Sequence, residues 1–73
     1  MASETVLVFK TSVKHQKEVK QLRPLLNALV DWEGRWNFDL DDCDNILRIE
    51  TRKLQAAIIS SALQVQGFAC EEL

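Results

Sequence analysis

Apolar residues recur at helical spacing twice along this chain, and each run lies between segments built like strands. Val19, Leu22, Leu25, Leu26 and Leu29 form one stripe, and Leu54, Ile58, Ile59, Ala62, Leu63 and Val65 form another. Thr5-Val-Leu-Val-Phe9 is β-branched and aromatic with apolar residues on both faces, the pattern of a central strand. Trp36, Phe38 and Leu40 alternate with Asn37, Asp39 and Asp41, giving a second strand with one buried and one wet face, as suits a sheet edge. A third strand spans Ile46–Glu50, with Leu47 and Ile49 toward the helices and Ile46, Arg48 and Glu50 on the other side. Phe68–Leu73 supplies a fourth, Phe68 and Cys70 inward.

Punctuation residues set the expected boundaries. Thr11 or Ser12 is positioned to cap the first helix, which is expected to end near Asp31–Gly34 with Gly34 as its stop. Pro24 lies inside that helix, removes one backbone hydrogen bond and crowds the Lys20 carbonyl, so a kink or a helical segment restarting at Pro24 is expected. Asp41 to Asn45 is a turn, because Asp and Asn bond to their own backbone and tolerate left-handed geometry. Thr51 is the expected cap of the second helix and Gly67 its stop. Trp32 and Trp36 flank Gly34 and are expected to pack against the core and the helix end.

The chain has 73 residues, which implies a single domain, 1–73, burying roughly 60–65% of its unfolded surface and stable by a few kcal/mol. A large enclosed active site does not fit in it. Its apolar share of 47% and charged share of 27% are those of a globular chain. No stretch approaches the roughly 20 apolar residues of a membrane span, and the N-terminus lacks a basic-then-apolar leader, so the expected location is the cytoplasm with no membrane partner. Cys43 and Cys70 are not in a Cys-x-x-Cys pair and are taken as reduced thiols.

Strand, helix, strand, occurring twice, is the ferredoxin-like βαββαβ arrangement: an α+β sandwich with a four-stranded antiparallel sheet and two helices on one face. Within it, Leu22-x-x-Leu25-Leu26-x-x-Leu29, Phe38-Asp39-Leu40 and Ile59-x-x-Ala62-Leu63-x-x-x-Gly67-Phe68 make nearly the whole chain resemble a heavy-metal-associated domain, the module of copper chaperones and metal-pumping ATPases. The resemblance implies a soft-metal site of Met-x-Cys-x-x-Cys between the first strand and the first helix, where thiolates at a helix N-terminus hold an ion such as Cu(I). That motif is absent. One register puts Val13, His15 and Glu18 at its three positions, and another puts Ser12 and His15 at the cysteines; neither gives a dithiolate.

His15 and Glu18 sit one helical turn apart and could share a borderline ion such as Zn(II) or Cu(II). Cys43, on the hairpin at the same end of the fold, is a conceivable third ligand. The plain reading is an exposed histidine beside a solvated glutamate, and an incidental thiol in a polar turn. The aspartates between 39 and 44 lack the glycine and terminal glutamate of a calcium loop.

Net charge is −2, which argues against non-specific nucleic-acid binding, and the third strand has no aromatic platform for RNA. The average conceals a polarity, because residues 10–23 hold five basic side chains against one acidic, while Asp39, Asp41, Asp42 and Asp44 crowd the hairpin. Lys14, Lys17 and Lys20 form a stripe at the start of the first helix, where its dipole disfavours cations. Lysine runs are commonly just solvated faces, but this one suits an acidic protein surface or a small anion. No nucleophile–base pair or phosphate cradle is visible, so no catalytic activity and no cofactor are expected. The leading expectation is a non-enzymatic interaction module. The alternatives are metal handling through His15 and Glu18, and regulatory small-ligand binding by a dimer. The open sheet face, with Ile46, Ala69 and Leu73, would make the chain a monomer or a weak homodimer.

Overall fold

The β-branched run near the N-terminus forms β1, Thr5–Thr11, and it lies inside the sheet as its two-sided apolar pattern requires. The computed structural model describes residues 5–30, 34–41, 45–52 and 55–73. Expectations placed on Trp32, Asp42, Cys43, Asp44 and Leu54 lie outside the described residues. The other elements are α1 Gln16–Leu29, β2 Arg35–Asp39, β3 Ile46–Thr51, α2 Ala56–Val65 and β4 Cys70–Glu72. The strands pair antiparallel in the order β2-β3-β1-β4, which with the βαββαβ element order is the ferredoxin-like α+β fold.

Register decides which side chains meet the helices. Leu7, Ile49 and Trp36 lie in one cross-strand row, and Phe9, Leu47 and Phe38 in the next. Val19, Leu22 and Leu26 of α1 and Ile59 and Leu63 of α2 close over these rows to make the core. The opposite face carries Val6 with Glu50 and Arg35, Val8 with Arg48 and Asn37, and Lys10 with Ile46, Asp39 and Glu71. Charged residues interleave its aliphatic ones, among which Val6 and Leu73 stay exposed. Ile46 is only 7% exposed despite standing there, flanked across the strands by Lys10 and Asp39.

Several boundaries differ from the sequence expectation. The N-cap of α1 is His15, not Thr11 or Ser12, because both hydroxyls are engaged elsewhere. The Thr11 hydroxyl donates to the Asn45 carbonyl at 2.7 Å, and Ser12 Oγ accepts the Ala69 amide at 2.9 Å. At its other end α1 stops at Leu29. Val30 turns extended and is buried, its amide still donating to the Leu26 carbonyl at 2.8 Å, so the helix ends before Gly34. Pro24 starts no new segment; it lies within one continuous helix, exposed. Thr51 ends β3, only 2% exposed, and Gln55 caps α2.

The stop at Gly67 is as expected. Gly67 has φ +93°, its amide donates to the Gln64 carbonyl, and the Phe68 amide donates to the Leu63 carbonyl, together the Schellman arrangement. Asn45 takes φ +51°, the left-handed geometry expected for the end of the aspartate turn.

Candidate functional site

Three connections meet at one end of the sheet, and backbone pairing ties them together. Ser12 and Ala69 exchange hydrogen bonds, the Ser12 amide reaching the Ala69 carbonyl at 3.1 Å, while Thr11 holds Asn45 at the hairpin. Thr11 Oγ1 also accepts the Val13 amide at 3.2 Å, which directs the Val13 side chain into the core, fully buried. Val13 occupies the place that one register gives to the metal motif's methionine. The loop before α1 is thereby fastened from both sides.

His15 and Glu18 come immediately after, and the geometry gives the carboxylate a structural partner. Glu18 is the third residue of the helix, and its Oε1 accepts the Lys14 amide at 2.9 Å and the His15 amide at 3.2 Å. This is the returning half of a capping box, satisfying amides that the helix leaves free. The Lys14 amide, joined by the His15 amide and the nearby charges of His15 and Lys14, holds the Glu18 carboxyl below the usual carboxylate range. His15 is exposed beside it. Among the described residues no group of three His, Cys, Asp or Glu side chains could hold a metal ion.

Cys70 is buried under the same end, opposite Thr11 across the strands. Burial pushes its thiol up, and a hydrogen bond with Ser60 opposes that rise, so Cys70 is a core residue and a poor thiolate ligand.

Lys14, Lys17 and Lys20 are all exposed, and Arg23 continues the stripe one turn further along α1. Arg23 also reaches a feature that the sequence does not announce. A groove of about 810 Å³ runs between α1 and β2, lined by Val19, Arg23 and Asn27 on the helix and Arg35, Trp36 and Phe38 on the strand. Trp36 Nε1 donates to Asn27 Oδ1 at 2.9 Å across it, and the Trp36 and Phe38 rings stand edge to face at 6.0 Å. Trp36 therefore does more than the core packing expected of it. The only sequence signal for the groove is an aromatic pair on an edge strand facing a helix with polar residues at Arg23 and Asn27. A smaller depression of about 340 Å³ lies at Arg35, Asn37, Arg48 and Glu50. No family model matches the chain, and no curated protein or solved structure matches it either.

Proposed function

We propose that this chain is a small non-enzymatic binding module of the cytoplasm, built on a framework resembling heavy-metal-associated domains, which meets an acidic protein surface through the basic start of α1. The observation that carries this reading is the division of labour at the helix N-terminus. Val13 is buried and a Glu18 carboxylate oxygen is committed to two backbone amides, whereas Lys14, Lys17 and Lys20 project into solvent. A cationic stripe costs stability where a helix dipole is already positive, and such a cost is offset when an anionic partner docks. Among the described residues no helix is long and apolar enough to cross a membrane.

The test pairs metal with charge. In a competition titration with purified protein, Cu(I) and Zn(II) are expected not to bind at micromolar levels, while an oligoglutamate peptide binds in a salt-sensitive way. Changing Lys14, Lys17 and Lys20 together to Glu is expected to abolish the peptide interaction. Tight Zn(II) binding that disappears in His15→Ala would overturn this reading in favour of metal handling.

A further inference from the structure

The groove between α1 and β2 is bounded by an edge strand whose outer side carries no strand among the described residues. Strand β2 pairs with β3 only, in unbroken register from Arg35 opposite Glu50 to Asp39 opposite Ile46. Edge strands are ordinarily blunted by charged side chains, proline or a bulge. Arg35-Trp-Asn-Phe-Asp39 has no proline and no bulge, and its charged side chains stand only at its two ends. Among the described residues no strand pairs with its outer side, so its backbone there is of the kind to which another extended chain adds.

The depressions on the two sides of β2 specify what such a chain must carry. On the helix side, lining residues run from Gln16 to Val30, about 20 Å along the axis, which is the length of roughly six extended residues and too long for one small ligand to fill. Its walls offer Val19, Trp36 and Phe38 to apolar side chains and Arg23 and Arg35 to anions, and among the described residues no acidic side chain lines it. At the depression on the open face Arg35 and Arg48 outnumber Glu50, with Asp39 at the far end of β2. Side chains of an added strand alternate between these two sides.

We infer that the α1–β2 groove receives an extended segment of a partner protein with alternating apolar and acidic residues, added to the sheet as a strand beside β2. Apolar side chains enter between Trp36 and Val19, and the carboxylates meet Arg35 and Arg48 on the open face, with Arg23 at the groove's rim. The inference rests on the reading of the chain as a binding module, but it uses different residues from the lysine stripe.

The probe is a synthetic capped heptapeptide of alternating Glu and Leu, titrated into isotopically labelled protein and followed by amide spectra. Shifts are expected at the amides of residues 35–39 and at the Trp36 indole, with slowed exchange along β2. Arg23→Glu combined with Arg35→Glu should weaken binding about tenfold while melting stays cooperative. The same peptide with a central proline should not bind, since proline removes a ladder hydrogen bond. The variant carrying Glu at Lys14, Lys17 and Lys20 should retain the β2 shifts. Shifts confined to Lys17 and Lys20 would overturn the groove and leave the lysine reading standing. Absence of binding by the Glu–Leu peptide while oligoglutamate binds would do the same. Equal binding of the proline peptide would rule out strand addition. Peptide-free dimerisation that protects the same β2 amides would give the edge to a second copy of the chain and overturn the partner assignment.

Discussion

The two halves of the molecule repeat one topology and finish it differently. In the second half, α2 is wholly uncharged from Ala56 to Val65 and is bound closely to the strand after it. Its Schellman turn returns the chain at Phe68, and Gln64 Nε2 donates to the Cys70 carbonyl at 3.4 Å, so helix and β4 close on each other. In the first half, α1 carries Lys17, Lys20 and Arg23, contains Pro24, and leaves a groove beside β2 that only the Trp36–Asn27 hydrogen bond spans in the described structure. The second half is closed by contacts between its helix and its strand, whereas the first is open, with a groove beside its edge strand. The asymmetry arises from side chains, since the backbone plan is the same.

That contrast concerns the periphery and should vanish in the core. Leu22 of α1 and Leu63 of α2 are both fully buried, so truncating either to Ala is expected to cost about 3 kcal/mol, read as a fall in the urea midpoint at constant slope. For a chain this small, either change leaves little folded protein. A much smaller loss for Leu22→Ala would mean that the openness of the first half extends into its interior.

Smaller effects of opposite sign are expected where the two helices use their special residues. Pro24→Ala restores a donor for the Lys20 carbonyl, and after allowing for the looser unfolded chain it should stabilise by about 2 kcal/mol. Gly67→Ala should destabilise by about 1 kcal/mol. A Cβ there would meet nothing within 4 Å, so the cost is the φ of +93° and nothing steric. Thermal melts of both variants separate the proline-bearing helix from the glycine-terminated one. If Pro24→Ala is neutral, the hydrogen bond missing at Pro24 is already compensated and contributes nothing to the difference between the halves.

The range of the interactions involved decides which of these features are legible in the residues. Periodicity is local, so it identifies Leu22, Leu26, Ile59 and Leu63 as core, and the alternation at Trp36 and Phe38 places β2 at an edge. Gly67 is legible because a left-handed residue after a helix is a requirement of the backbone itself. The cap of α1 is not, since Thr11 and Ser12 are chemically able caps whose hydroxyls are claimed by Asn45 and Ala69, residues 34 and 57 positions away. Thr51 misleads for a similar reason, being drawn into β3 by burial. The groove is hidden because it depends on how far α1 stands from β2, a quantity that no residue pattern encodes.

The smallest expected effect concerns the capping role of Glu18. Its proton affinity is lowered in the folded chain by the Lys14 and His15 amides. Between the lowered native value and the ordinary carboxylate value the unfolded state binds more protons, so stability rises with pH across that window. The contribution is complete above the ordinary value and is lost as pH falls through the native one. Glu18→Gln keeps an acceptor for the amides but cannot titrate, so its urea midpoint should fall less steeply than the wild type's as pH is taken from neutral into the acid range. Partial exposure of the side chain to solvent keeps the difference small. Superimposable acid limbs would mean that the Glu18 carboxylate contributes nothing to stability as a cap, removing one fastening from the loop that begins the open half.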